Sequence, residues 1–414
     1  MYHKRLNIVL CGIGKIGRGI IAKSVLNAGH TLTMLDVNRE LVGLLRDAGS
    51  YTVCSIDDEV NYCEKVTGYK IFLMDTQEAE RALCQADLIF TSVGVNNLGS
   101  LMKTITPFLL KRISLSQPPI DIIFCENMVD IGIFISDILK NELAIDPGNF
   151  KGQVGFAGGS VGVVVPPPLD PLYLIKGPYE DIHIEENALI TDIRIPHFIP
   201  VKNFELCIRE KLYIYNMAHA LTSYLGWRLG YKYVDQAFSA PEIIEDVRSA
   251  MNSVVQALAN EYNEPFQELH EVAVDIENRI CNKQIRDTII RIAEDPIRKL
   301  SYSDRLVGAY LLTQKNNIAC DVILKGIAAG FRFDEPSDPS AVQINSFIKA
   351  HGIREAVTAF TGLQNEEPIS KIITYYRTFE AEDRNKMCPV EKNARFHRQD
   401  IILRHILPPD STLA

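Results

Sequence analysis

The feature that most limits how this chain can fold is a glycine cluster close to its start. Gly12, Gly14 and Gly17 stand in the spacing G-x-G-x-x-G, directly behind an apolar run at residues 6–10. In a chain leaving a buried parallel strand, the first glycine permits a tight turn. The second lets the backbone approach a pyrophosphate, and the third lets the next helix pack close to the strand. The N-terminus of that helix presents free N–H groups to the anion. Residues 16–28 carry apolar pairs four apart, Ile16/Ile20 and Ile21/Val25, and Gly29 is a helix stop. A second apolar run at 31–35 ends in Asp36. A carboxylate there accepts from both ribose hydroxyls of adenosine and repels a 2′-phosphate, although nearby Arg39 softens that preference. This register predicts a Rossmann-type fold that binds NAD. The cofactor contacts come from Gly12, Ile13, Gly14, Lys15, Ile16, Gly17 and Asp36.

Further along, residues 51–73 alternate around Asp57 and Asp58, which predicts a hairpin inserted into the nucleotide fold. A buried strand at 87–90 ends in Thr91-Ser92-Val93-Gly94. A small-residue turn at a strand's carboxyl end is where the nicotinamide half of a dinucleotide passes, so Ser92, Val93 and Gly94 are cofactor candidates. An ordinary strand-to-helix turn explains each residue alone equally well. Another strand, 121–124, runs into Cys125-Glu126-Asn127. Asn127 therefore faces the ligand crevice, with helix capping as the alternative. No base is placed beside Cys125, which reads as buried structure rather than a nucleophile. Strands at 154–165, 172–175 and 182–186 are expected to extend the sheet, with a boundary at 196–200. Past residue 200 the pattern is mostly helical. The expected fold is α/β, with a Rossmann-type domain carrying an extended sheet at 1–198. A mostly α-helical domain at 199–382 and a charged tail at 383–414 follow it.

Composition excludes several classes. A net charge of −9 argues against a nucleic-acid surface. The nine cysteines are scattered, odd in number and without C-x-x-C, so neither a disulfide framework nor a metal site is expected. Reduced thiols in a cytoplasmic protein fit that usage. No apolar run approaches the ~20 residues that span a membrane. No long heptad pattern is present, which leaves a monomer as the default.

A second constellation lies at 204–229, a proline-free stretch rich in helix formers. It carries Lys211, Asn216 and His219. At about 100° per residue, His219 falls about 80° and Asn216 about 140° around from Lys211, so all three can share one broad face. An amine, an amide and an imidazole facing one cleft can move a proton and hold an oxyanion. A solvated face and a core histidine are the plainer alternatives.

The spacing Lys211-x4-Asn216-x2-His219 behind a dinucleotide fold resembles the polyol-specific long-chain dehydrogenases, the mannitol dehydrogenase family. The resemblance extends over residues 5–380. It includes G-x-G-x-I-G-R-G at 12–19, D-V-N at 36–38 and C-E-N-M-V at 125–129. Further on come V-P-P at 165–167, N-x-x-H-A at 216–220, P-I-R-K-L-S at 296–301, D-R-L at 304–306 and K-G-I-A-A at 325–329. It implies a metal-independent, NAD-linked oxidation of a secondary alcohol. Lys211 matches the general base, Asn216 and Asn127 the oxyanion-stabilising amides, and His219 the substrate-binding histidine. The implied substrate is a polyol or sugar phosphate, with mannitol 1-phosphate and fructose 6-phosphate as the first pair. Other hexitols or hexuronates, or a non-catalytic NAD-binding sensor or structural role, are the rivals. Arg298 and Lys299 are phosphate candidates by charge, with a surface ion pair as the alternative. One segment departs from the family: V-G-V-V-V-P-P at 161–167 has Gly162 and Val163 where V-D-R-I-V-P-P has an aspartate and an arginine.

Overall fold

Alternate residues of the first strand, β1 (Asn7–Cys11), enter different cores. Ile8 and Leu10 pack into one, Val9 and Cys11 into the other. A strand buried on both faces belongs inside a sheet covered on both sides. A computed structural model of the chain describes residues 5–56, 61–126, 128, 130–163, 165–283 and 286–386, and β1 lies inside such a sheet. The remaining strands are β2 (Thr31–Asp36), β3 (Ser50–Ile56), β4 (Asn61–Thr67), β5 (Lys70–Leu73), β6 (Leu88–Thr91), β7 (Ile120–Phe124), β8 (Val154–Val161), β9 (Tyr173–Lys176), β10 (Ile182–Glu185) and β11 (Phe198–Val201).

Eight of them form one sheet in the order β11-β10-β8-β7-β6-β1-β2-β5. All neighbours are parallel except β8 and β10. The chain winds outward from β1 through β2 to β5, then returns to β6 on the other side of β1. That reversal opens a crevice at the carboxyl ends of β1 and β6, where open α/β sheets bind ligands. β11 continues the sheet to Val201, so it straddles the expected change of architecture at 198/199. The tip of the inserted hairpin at 57–60 and residues 387–414 of the expected tail lie outside the described residues.

Two expectations are corrected. The strand at 173–176 does not extend the main sheet. It pairs in parallel with β3, giving a separate three-stranded sheet β4-β3-β9. A short apolar strand carries no signal of which edge it joins. Here the free edge of β3 takes it, beginning with the Thr52 N–H donating to the Leu172 carbonyl at 2.8 Å. The thiols are also not all reduced. The hairpin register sets Cys54 directly opposite Cys63, Cα to Cα 4.0 Å, and the two are joined as a disulfide. Cysteine count and spacing could not show this pairing, because only the hairpin register brings the two together.

Beyond β11 the chain is helical. One continuous helix, Phe204–Arg209, Glu210–Asn216 and Met217–Leu229, forms the axis of this half. From Met217 to Gly226 every residue is buried, leaving no solvated face there. The neighbouring helices Val234–Phe238, Pro241–Tyr262, Ile289–Ala293 and Asp321–Phe331 share its core. Among the described residues no helix is long and apolar enough to cross a membrane.

Close packing around this axis is carried by glycine. A Cβ at Gly226 would lie 2.7 Å from both Ala237 Cβ and Ile289 Cδ1. Gly226→Val should therefore destabilise the protein by about 1–3 kcal/mol, the usual cost of overpacking. Urea unfolding followed by circular dichroism reads this, and an unchanged midpoint would refute the close-approach argument.

Candidate active site

The crevice begins where β1 ends. Gly12 takes φ +92°, which only glycine adopts without strain, and its N–H donates to the Leu35 carbonyl at 2.8 Å. A Cβ at Gly12 would lie 2.6 Å from the Ser92 carbonyl oxygen, and one at Gly17 would run into the Gly12 carbonyl. These glycines thus let the turn, the helix after it and the end of β6 meet closely. Gly14 differs: it is exposed, with nothing within 4 Å of its Cβ position. Its backbone is open to an incoming group, as a pyrophosphate requires. Ile13 is fully buried and Ile16 half-buried beside it.

At the end of β2, Asp36 is half-buried. Its carboxylate accepts from the Ile13 N–H and the Asn38 N–H, each at 2.8 Å. This fixes the carboxylate beside the glycine turn with acceptor capacity left for ribose hydroxyls. Val37, 80% exposed, offers an apolar surface next to it. Arg39 is drawn to Asp75 at 2.7 Å, which opposes its use for a 2′-phosphate.

On the other side of the switch point, the Ser92–Gly94 turn is held by a residue that sequence reasoning passed over. Glu126 is buried, and its carboxylate accepts from Thr91 Oγ1 at 2.7 Å and the Val93 N–H at 2.8 Å. Burial raises its pKa, and these hydrogen bonds oppose the rise. Ser92 in turn donates through Oγ to the Gly12 carbonyl at 2.8 Å. The only signal was Glu126's position past β7, beside Asn127. Asn127 itself lies outside the described residues.

The helical half supplies the opposite wall. Between Glu210 and Asn216 the long helix is hydrogen-bonded five residues apart rather than four. Such insertions are uncommon and recur at functional sites. The 100° step used for this segment is therefore corrected. With five-residue bonding, Asn216 swings around toward the side of Lys211 instead of lying 140° away. Lys211 is largely enclosed by protein, and burial first of all pushes its amine down to about 8, aided by the charge of Arg305. The thiols of Cys125 and Cys207 flank it. Burial raises both, Cys207 to about 11, so at neutral pH neither offers the ammonium a counter-charge. Asn216 is half-buried.

His219 is 7% exposed, and the Tyr215 ring meets it edge-on at 4.5 Å. Burial pushes its pKa down to about 4. Asp287 opposes that shift, while Arg291, Arg305 and Lys299 add to it. The imidazole is thus neutral at physiological pH and acts as a hydrogen-bonding group rather than a charge. Lys15, in the glycine turn, is lowered by burial and then by Arg291. Arg291 is ion-paired with Asp287. The charge of Arg291, on the helical half, therefore reaches the glycine turn.

The two phosphate candidates take different roles. Arg298 is exposed and pairs with Asp295 at 2.8 Å and Asp304 at 3.3 Å, the surface ion-pair alternative. Lys299 is buried, pushed down to about 7 by burial and by Arg305 and Arg298, and donates to the Ile292 carbonyl. The basic group whose field reaches both Lys211 and His219 is Arg305, held by Asp304 at 2.6 Å. It was visible in the sequence only as part of D-R-L. Val163, beside the departing Gly162, packs on the sheet core.

Comparison with known proteins follows this division of the chain. Residues 6–197 match the family model of the mannitol dehydrogenase Rossmann domain, and residues 201–387 that of the mannitol dehydrogenase C-terminal domain. The mannitol-1-phosphate 5-dehydrogenase of Thermoanaerobacter pseudethanolicus is 32% identical over 384 residues, covering 90% of this chain and 97% of that protein. The enzyme of the same name from Clostridium acetobutylicum is 31% identical over 375 residues, covering 88% and 96%. Among solved structures, Pseudomonas fluorescens mannitol 2-dehydrogenase, a ternary complex with NAD and D-mannitol, superposes with a TM-score of 0.75. It is 14% identical and covers 93% of this chain and 95% of that one. A substrate-free D-sorbitol dehydrogenase gives 0.73 at 15% identity, with the same coverage. These likenesses show the fold.

The protonation of Lys211 is open to direct measurement. Competitive acylation of amino groups across a pH series, read by peptide mass spectrometry, should show Lys211 half-deprotonated at about 8. Exposed lysines should titrate near the ordinary value of about 10.4. Titration of Lys211 with that exposed group would contradict the burial argument.

Proposed function

The chain belongs to the mannitol dehydrogenase family, and from that premise we propose that it is an NAD-dependent polyol dehydrogenase whose substrate pair is D-mannitol 1-phosphate and D-fructose 6-phosphate. The observation that carries the reading is Lys211: an amine largely enclosed by protein and lowered to about 8, on the same helix as a neutral His219. The full-length likeness to mannitol-1-phosphate 5-dehydrogenases supports the phosphorylated pair.

The residues of the crevice suit the dinucleotide. The open backbone at Gly14 and the helix N-terminus behind it would hold the pyrophosphate. Asp36 would take the adenosine ribose, and the Ser92–Gly94 turn would line the nicotinamide half. When bound, the nicotinamide supplies the hydride acceptor or donor.

The remaining chemistry belongs to the chain. In oxidation, Lys211 Nζ takes the proton of the reacting hydroxyl; in reduction it returns that proton to the carbonyl oxygen. Asn216 and Asn127, both carried over from the family, donate hydrogen bonds to that oxygen as it gains negative charge. His219, kept neutral by burial, hydrogen-bonds the substrate and orients the reacting carbon. Arg305 adds a positive field that disfavours the ammonium form of Lys211.

The sign of the pH dependence follows. Polyol oxidation needs the free amine, so kcat/KM should rise through about pH 8 and then level off. Ketose reduction needs the ammonium, so it should be full below that pH and fall above it. The decisive assay follows NADH absorbance with fructose 6-phosphate, then with fructose and with hexuronates. Consumption only with fructose 6-phosphate is expected. NADH binding without turnover of any of them would favour a non-catalytic role. Lys211→Ala should cut turnover by at least about a hundredfold, the low end for a proton-transfer group, while NADH binding persists. Full turnover in that variant would remove Lys211 as the base.

A further inference from the structure

The disulfide Cys54–Cys63 clips β3 to β4 toward the tip of the inserted hairpin. Its two sulfurs are unequal. Cys54 is 2% exposed, whereas Cys63 is exposed on β4, an edge strand of the three-stranded sheet. The Tyr173 hydroxyl of β9 lies 2.8 Å from the Cys54 sulfur and 3.6 Å from that of Cys63. A disulfide sulfur carries no proton, so the hydroxyl is the donor. This asymmetry selects one route of exchange. An attacking thiolate reaches the Cys63 sulfur, and the sulfur that leaves is the one beside a hydrogen-bond donor.

The same hairpin braces the glycine turn. Three residues before Cys54, Tyr51 is buried, and its hydroxyl donates to the Arg18 carbonyl at 2.9 Å. Arg18 follows Gly17, and its Nε donates to the carbonyl of Ile13, between Gly12 and Gly14, at 2.8 Å. Its Nη1 donates to the Pro171 carbonyl, just ahead of β9. On the other strand, Glu64 follows Cys63 directly. Its carboxylate pairs with Lys23 at 3.5 Å and accepts from Asn27 Nδ2 at 3.2 Å, both on the helix behind the turn. Each strand of the hairpin thus grips the turn or its helix, within three residues of a disulfide cysteine.

We propose that Cys54–Cys63 is a thiol–disulfide exchange site for a dithiol reductant, and that its oxidation state sets the affinity of the glycine turn for the dinucleotide. The coupling rests on the dinucleotide reading of that turn. One thiolate of the reductant attacks Cys63 Sγ, and Cys54 leaves as a thiolate beside the Tyr173 hydroxyl. The second thiolate attacks the reductant's own sulfur in the mixed disulfide and releases Cys63. Two electrons pass from the dithiol to the protein, the reductant departs as a disulfide, and its two protons end on Cys54 and Cys63. The edge strand β4 is then tied to β3 by backbone hydrogen bonds alone. Glu64 and Tyr51 are no longer held at a fixed spacing by a covalent link.

The test uses the native full chain. It is treated with dithiothreitol under conditions where circular dichroism shows the fold unchanged. The reductant is removed at acidic pH, and thiols are alkylated with N-ethylmaleimide in denaturant. Peptide mass spectrometry should find Cys54 and Cys63 unmodified without reduction and both alkylated after it. Free thiols at both before reduction, or resistance of the pair while the fold persists, would overturn the exchange site. NADH titrated calorimetrically should bind the reduced protein at least about fivefold more weakly than the oxidised form, the low end of coupling between two sites. By linkage, saturating NADH should shift the exchange equilibrium with dithiothreitol toward the disulfide by the same factor. Cys63→Ser should bind NADH as the reduced protein does and ignore the reductant. Equal affinity in the two states, or an exchange equilibrium indifferent to NADH, would refute the coupling and leave the dehydrogenase reading standing. Absence of NADH binding in both states would instead remove the dinucleotide reading and the coupling together, whatever the alkylation shows.

Discussion

Burial of one helix is the constraint on which the rest of this molecule depends. The segment Met217–Leu229 runs through the helical half with its first ten residues enclosed, and glycines on it and around it let its neighbours approach. The burial that stabilises this half also sets its chemistry. Water is excluded from His219, so the imidazole stays neutral. Enclosure costs the Lys211 ammonium its hydration, so its proton affinity falls to about 8. Stability and reactivity here share one physical cause.

The sheet contributes position. β1 is fixed by apolar packing on both faces, and the reversal between β1 and β6 leaves a gap at their carboxyl ends. Polar side chains hold that gap in shape. Glu126 holds the Thr91–Val93 turn, Ser92 ties that turn to Gly12, and Asp36 is fixed between Ile13 and Asn38. Each is a side chain bonding a backbone that turns away from regular structure, where ladder partners run out. From the helical half, Cys207 reaches Ser160 and Arg279 reaches Gly162, so the two halves meet along the wall that carries Lys211.

Much of this was legible in residue order because it depends on local rules. The glycine spacing, the acid at the end of β2 and the alternation of β3 and β4 are short-range patterns, and each element formed where its pattern stood. Other features depend on pairing between distant segments. β9 joined β3 instead of the main sheet because edges compete for a short strand, and residue order does not rank them. The Cys54–Cys63 disulfide followed from hairpin register rather than from cysteine spacing. Arg305 and Lys299 were both basic residues near a family motif. Only packing turned one toward the fields of Lys211 and His219 and the other toward the Ile292 carbonyl.

The sequence by itself determined the kind of fold, the place of the glycine turn and the helix that carries Lys211, Asn216 and His219. Those follow from glycine's conformational freedom, from side-chain periodicity and from the chemistry of an amine, an amide and an imidazole. The tertiary structure decided how those groups behave. Five-residue bonding between Glu210 and Asn216 brings position 216 around toward the Lys211 side of the helix, since it widens the turn and changes the angle that a regular helix dictates. Burial set the proton affinity of Lys211, because desolvation is a property of everything packed around a group and not of the group. The meeting of Arg279 with Gly162, 117 residues apart in the chain, exists only once the two halves are folded against each other.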